Sequence, residues 1–165
     1  MAILLAIPIL GGLIMLQTVV VSNLPLLNGY ADFILLAITA WGLRDEVKSA
    51  WWWGAIGGLM VSFVSAQPFL TPLVGYLIVL AIARFFQHRV WQSPFLTMLV
   101  VTFIGTLVYQ AITFAALTVT GVNLQFEQSL SRVVLPSLLL NMAFALPAYV
   151  VMRDLAQWVY PIKVE

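Results

Sequence analysis

Cysteine is missing from the chain, which excludes disulfides and thiolate metal ligation. Charge is scarce as well: Asp, Glu, Lys and Arg make up 8% of the 165 residues, against roughly 25% in an average soluble domain. The single histidine, His88, cannot build a metal site alone. It stands between Arg84 and Arg89 in "RFFQHRVW", a stretch suited to a positive patch facing anionic lipid. No paired carboxylates of the glycosidase kind, no His and carboxylate cluster and no base beside a nucleophile can be found. Nor does a string of acids run through the apolar segments, as a proton relay would need. "GAIGG" lacks the Lys and Ser/Thr of a P-loop. The formal net charge of +1 gives no basis for a nucleic-acid partner. Neither enzymatic activity nor a cofactor or metal is expected.

What is present is hydrocarbon. Hydrophobic residues make up 63% of the chain and the mean hydropathy is +1.07, the signature of an integral membrane protein. At about 20 residues per crossing, the length accommodates about six helical spans and little else. The expectation is an all-α, single-domain bundle of six transmembrane helices over residues 1–165. The N-terminal "MAILLAIPILGGLIMLQTVVVS" lacks a basic n-region and runs apolar too long for a secretion signal, so it reads as a retained first helix. Polar and Pro/Gly-bearing breaks leave apolar runs at 3–21, 26–43, 51–69, 72–86, 95–119 and 133–152. The tight hinge "QPFLTP" predicts that the third and fourth helices are antiparallel neighbours.

Orientation follows from the basic residues, because short loops rich in Lys and Arg stay in the cytoplasm. Arg44 and Lys48 in "RDEVK", Arg84 and Arg89 in "RFFQHRVW", and Arg153 and Lys163 in the tail fall on one side. "SNLPLLNGY", "QPFLTP" and "TGVNLQFEQSLSR" carry only Arg132 on the other. Both termini are therefore expected in the cytoplasm. Trp51, Trp52, Trp53, Trp91 and Trp158 suit an aromatic belt at headgroup level.

Two sets of residues stand out. Gly54, Gly58, Ser62 and Ala66 recur at intervals of four on the third span, and Ser137, Asn141 and Ala145 do the same on the sixth. Such small faces let another helix approach closely, either inside the bundle or from a partner. Gln17, Asp32, Gln110 and Asn141 are the polar residues within or at the edge of the spans. They are candidates to converge as a solute pocket, a partner contact or interhelical hydrogen bonds. Asp32, in "YADFILLAITAW", follows "LNGY" and suits the first position of a helix, where a carboxylate accepts from free backbone N–H groups.

The order "LQTVVVSNLPLLNGYADFILLAITAWGLRDEVKSAWWWGAIGGLMVSF", followed by "PFLTPLVGYLIVLAIARFF", resembles MreD, the small membrane subunit of the bacterial rod-shape machinery. The matching elements are Leu16 and Gln17, Asp32 before an aliphatic run, the Gly-rich third span, and Pro72 with Gly75. They cover roughly residues 10–90. The chain departs from the family pattern at Ala31, where Pro is usual, and in "LMVSFVSA", where an acidic residue is common. The resemblance implies a non-enzymatic scaffold or regulator in the bacterial inner membrane. Its implied partners, besides membrane lipids, are MreC, RodA, a class B penicillin-binding transpeptidase and MreB. MreD proteins are also distantly similar to the substrate-binding S components of energy-coupling factor transporters, six-helix proteins that take vitamins or metal ions from the outer side. The Ala2 and Ala6 pair resembles the small-residue motif by which S components dock. An S component is therefore the alternative function.

Overall fold

A computed structural model describes residues 2–23, 29–45, 47–87, 93–123 and 125–160. The described residues form six helices: α1 (Ala2–Asn23), α2 (Phe33–Gly42), α3 (Ala50–Val64), α4 (Thr71–Gln87), α5 (Pro94–Val119) and α6 (Phe126–Val159). No strand occurs among the described residues. Two helices, α5 and α6, are long and apolar enough to cross a membrane. Near its start α6 contains one π-helical turn, Leu130–Val134. His88, Arg89, Trp91, Lys163 and the first residues of the second apolar run lie outside the described residues.

The six apolar runs correspond to the six helices, with two large differences in length. The second run, 26–43, holds a helix of only 10 residues, about 15 Å long at 1.5 Å per residue. Gly29 to Asp32 are not helical. A Cβ on Gly29 would lie 2.4 Å from Pro136 Cβ and 2.7 Å from the Ser137 backbone nitrogen. Only glycine lets the chain approach α6 so closely. The sixth helix, conversely, starts at Phe126 and not near residue 133, taking Arg132 and Glu127 into helical structure.

Every residue of α2 is buried, and α2 packs against each of the other five helices. It is the axis of the bundle. Continuous apolar sequence from Phe33 to Ala40, broken only by Thr39, permits this burial on all sides.

The predicted pairing of α3 with α4 is present, and the small-residue row explains part of it. A Cβ on Gly58 would sit 2.5 Å from the Leu73 Cα, and one on Gly54 would sit 3.1 Å from Leu80. Ser62 is buried on the same face and its hydroxyl donates to the Gly58 carbonyl at 2.7 Å. This face therefore packs inside the chain against α4. Ala66 lies beyond the end of α3 and is exposed, so the row ends at Ser62.

The tryptophan triplet also divides. Trp51 and Trp52 are exposed, whereas Trp53 is fully buried and stacks on Trp41 with ring centroids 4.2 Å apart. Successive helical residues turn by about 100°, so three adjacent indoles cannot share one outward face. Trp158 is exposed.

Candidate functional site

The site is built around the start of α2. A helix leaves its first backbone N–H groups without intrahelical acceptors, and burial makes each orphan costly. Here side chains from three helices answer them in turn. Asn141 on α6 accepts the Asp32 N–H through Oδ1 at 2.7 Å. Gln17 on α1 accepts the Phe33 N–H through Oε1 at 3.1 Å. Asp32 itself accepts the Leu35 N–H through Oδ1 at 2.9 Å. Two residues before Asp32, Ser137 Oγ accepts the Tyr30 N–H at 3.1 Å. Asn141 is oriented in turn by donating from Nδ2 to Thr106 Oγ1 on α5 at 3.0 Å.

Asp32 is thus the N-cap expected from its position, but it does more than cap. It is 3% exposed, and the Tyr76 hydroxyl on α4 donates to both carboxyl oxygens, at 3.1 and 2.9 Å. The Tyr76 ring stacks on Tyr109 of α5, with centroids 4.9 Å apart and planes 10° apart. Gly75 makes room for that stack, because a Cβ there would lie 2.6 Å from the Tyr109 ring. The Tyr109 hydroxyl donates to Gln67 Oε1 at 3.2 Å. Gln67 lies in the short link between α3 and α4.

Beside this network lies a partly open cavity of about 290 Å³. Its polar wall is made by Gln17, Thr18, Tyr30, Asp32, Ser65, Gln67, Tyr76 and Tyr109, and its apolar wall by Ile14, Val61 and Val64. No Lys, Arg or His lines it among the described residues.

No family model, curated protein or solved structure matches this chain.

Three of the four polar residues singled out in the sequence therefore meet. Gln17 and Asp32 line the cavity, and Asn141 is buried behind them. Gln110 does not join. It lines a separate cavity of about 230 Å³ with Phe114, Phe126 and Leu130, between α5 and the first turns of α6. Of the four candidates Gln110 thus stands apart: it lines the cavity toward α6, whereas Tyr109, its neighbour on α5, reaches the Asp32 side.

Tyr76, Tyr109 and Gln67 were not singled out by sequence. Tyrosine in an apolar helix is ordinarily an interfacial anchor, and nothing local to Tyr76 shows that its hydroxyl faces a carboxylate 44 residues away. The one available signal was the unpaired Asp32, which requires donors somewhere in the chain. The groups of the site do hydrogen bonding and enclosure; among the described residues no three His, Cys, Asp or Glu side chains gather to hold a metal.

Proposed function

We propose that this protein is a non-enzymatic, multi-pass subunit of MreD type in the bacterial inner membrane, with six spans and cytoplasmic termini. It would scaffold or regulate the cell-elongation complex that builds peptidoglycan, contacting MreC and the RodA and transpeptidase machinery that works with MreB. The observation that carries the non-enzymatic reading is the use of the polar inventory: Gln17, Asp32, Ser137 and Asn141 are engaged with the backbone at the start of α2. Irregular backbone at membrane depth is tolerated where protein groups satisfy it.

The membrane reading is supported by the exterior. Leu4, Met15, Phe63, Val74, Phe103 and Leu139, from five helices, are exposed apolar side chains. A soluble monomer rarely shows apolar surface on this scale. The orientation is supported by the clustering of the basic connections. Arg84 donates to the carbonyls of Arg44 (3.2 Å) and Val47, and Tyr160 near the C-terminus hydrogen-bonds Ser49 at 3.1 Å. The absence of native cysteine makes this testable by single substitutions at exposed sites. A membrane-impermeant maleimide added to intact spheroplasts should label V122C and spare K48C; the reverse pattern would overturn the orientation.

Detergent extraction from the native membrane, followed by identification of what co-purifies, tests the function. MreC, RodA or the transpeptidase should be recovered. A second reading, an S component, is favoured by the cavity beside Asp32; recovery of paired ATPases with a coupling subunit would select it and sink the first.

A further inference from the structure

We propose that the cavity beside Asp32 binds a small organic ammonium ion. The proposal stands independently of the partner assignment above, because it rests on the unequal use of the groups around the cavity. The backbone N–H groups at the start of α2 have acceptors, whereas the Asp32 carboxylate meets only neutral donors. The donors that reach the Asp32 carboxylate, the N–H groups of Leu35 and Ile34 and the Tyr76 hydroxyl, are all uncharged. It lines the cavity while 97% of its surface is removed from solvent, and no cationic side chain shares the wall among the described residues. Burying a carboxylate away from a counterion is costly. A cation in the cavity would reduce that cost.

The rest of the wall narrows the kind of cation. Tyr30, Tyr76 and Tyr109 line the same cavity; Tyr76 and Tyr109 turn one face each to the other, and the ring surface left to the cavity attracts ammonium groups. Val61, Val64 and Ile14 supply an apolar side suited to an alkyl chain. A bare alkali ion would leave this apolar surface and the three rings unused. The volume of about 290 Å³ lies just below the range of roughly 300–1,000 Å³ for drug-sized ligands, so the ligand is small. An alkylammonium with a short chain satisfies the charge, the rings and the apolar wall together.

The test is thermal unfolding of the full chain in lipid nanodiscs with n-butylammonium, 1-butanol or sodium as probe, at matched concentration and ionic strength. Butylammonium should raise the midpoint by about 2 °C or more, and the other two should leave it in place. Asp32→Asn keeps a good N-cap and should abolish the response. Val61→Phe fills the cavity without touching the carboxylate and should also abolish it, which keeps the test decisive if Asp32→Asn fails to fold. An equal shift with butanol or sodium, a shift retained in either variant, or no shift with butylammonium would overturn the proposal. Loss of the ammonium response would not affect co-purification, so the two readings fail separately.

Discussion

At its N-terminal end α2 meets a carboxylate; just beyond its C-terminal end it meets a guanidinium. Asp32 accepts from Leu35 N–H, and Arg84 donates to the carbonyls of Arg44 and Val47. Both charges have the sign that complements the helix dipole. Their settings differ. Asp32 is buried among hydroxyl, amide and ring groups beside a cavity, whereas Arg84 is half-buried, with Gln87 as a further acceptor at 3.0 Å and Gln87 in turn bonded to exposed Asp45. A short, wholly buried helix thus receives an electrostatic fixture at each end, one enclosed and one close to solvent. Removing the enclosed one should cost more, because the Leu35 N–H freed there belongs to a fully buried residue.

The comparison can be broken or sharpened by substitution, with unfolding of the detergent-solubilised protein as the measurement. The largest effect is expected from Gly58→Leu, which drives side-chain atoms into the Leu73 backbone and should cost about 3 kcal/mol or more. It acts on α3 and α4 as a whole and should loosen both ends of α2 alike. Asp32→Ala removes a cap and strands Leu35 N–H and the Tyr76 hydroxyl, for about 2–4 kcal/mol. Arg84→Met should cost less, about 1–2 kcal/mol, since Arg84 and Arg44 are half-buried and water can reach the Arg44 carbonyl, although Val47 is fully buried. Tyr76→Phe, which leaves the ring stack and takes one donor from Asp32, should cost about 1 kcal/mol. If Arg84→Met proves costlier than Asp32→Ala, the contrast between enclosed and solvated ends is wrong.

The helices themselves were largely legible, because apolar runs broken by polar residues delimit them and the "QPFLTP" hinge forces α4 back along α3. The brevity of α2 was not legible. "LPLLNGYA" is apolar enough to read as helix, and what ends the helix at Phe33 is the approach of Gly29 to Pro136 and Ser137, more than 100 residues later in the chain. The same distance in sequence hid half of the site. Gln17, Asp32 and Asn141 stood out because a polar group in an apolar run is conspicuous wherever it points. Tyr76, Tyr109 and Gln67 matter only through direction, and direction depends on how the helices are rotated against one another. Gln110 shows this from the other side: it was as conspicuous as Asn141, yet it faces a different cavity.

The π-helical turn at Leu130–Val134 works as a phase offset within α6. A π turn carries about one residue more than an α turn, so the helix before it is rotated by roughly 100° relative to the buried face of Ser137, Asn141 and Ala145. That rotation aims the Phe126 ring edge-on at Phe114, 5.8 Å away, and brings Phe126 to the wall of the cavity beside Gln110. Deleting a single residue within the turn would bring the two halves of α6 back into phase. The half that seats Asp32 would stay in place, while Phe126 would swing away from α5 and uncover Gln110. The two cavities are therefore separable by one residue of helical phase.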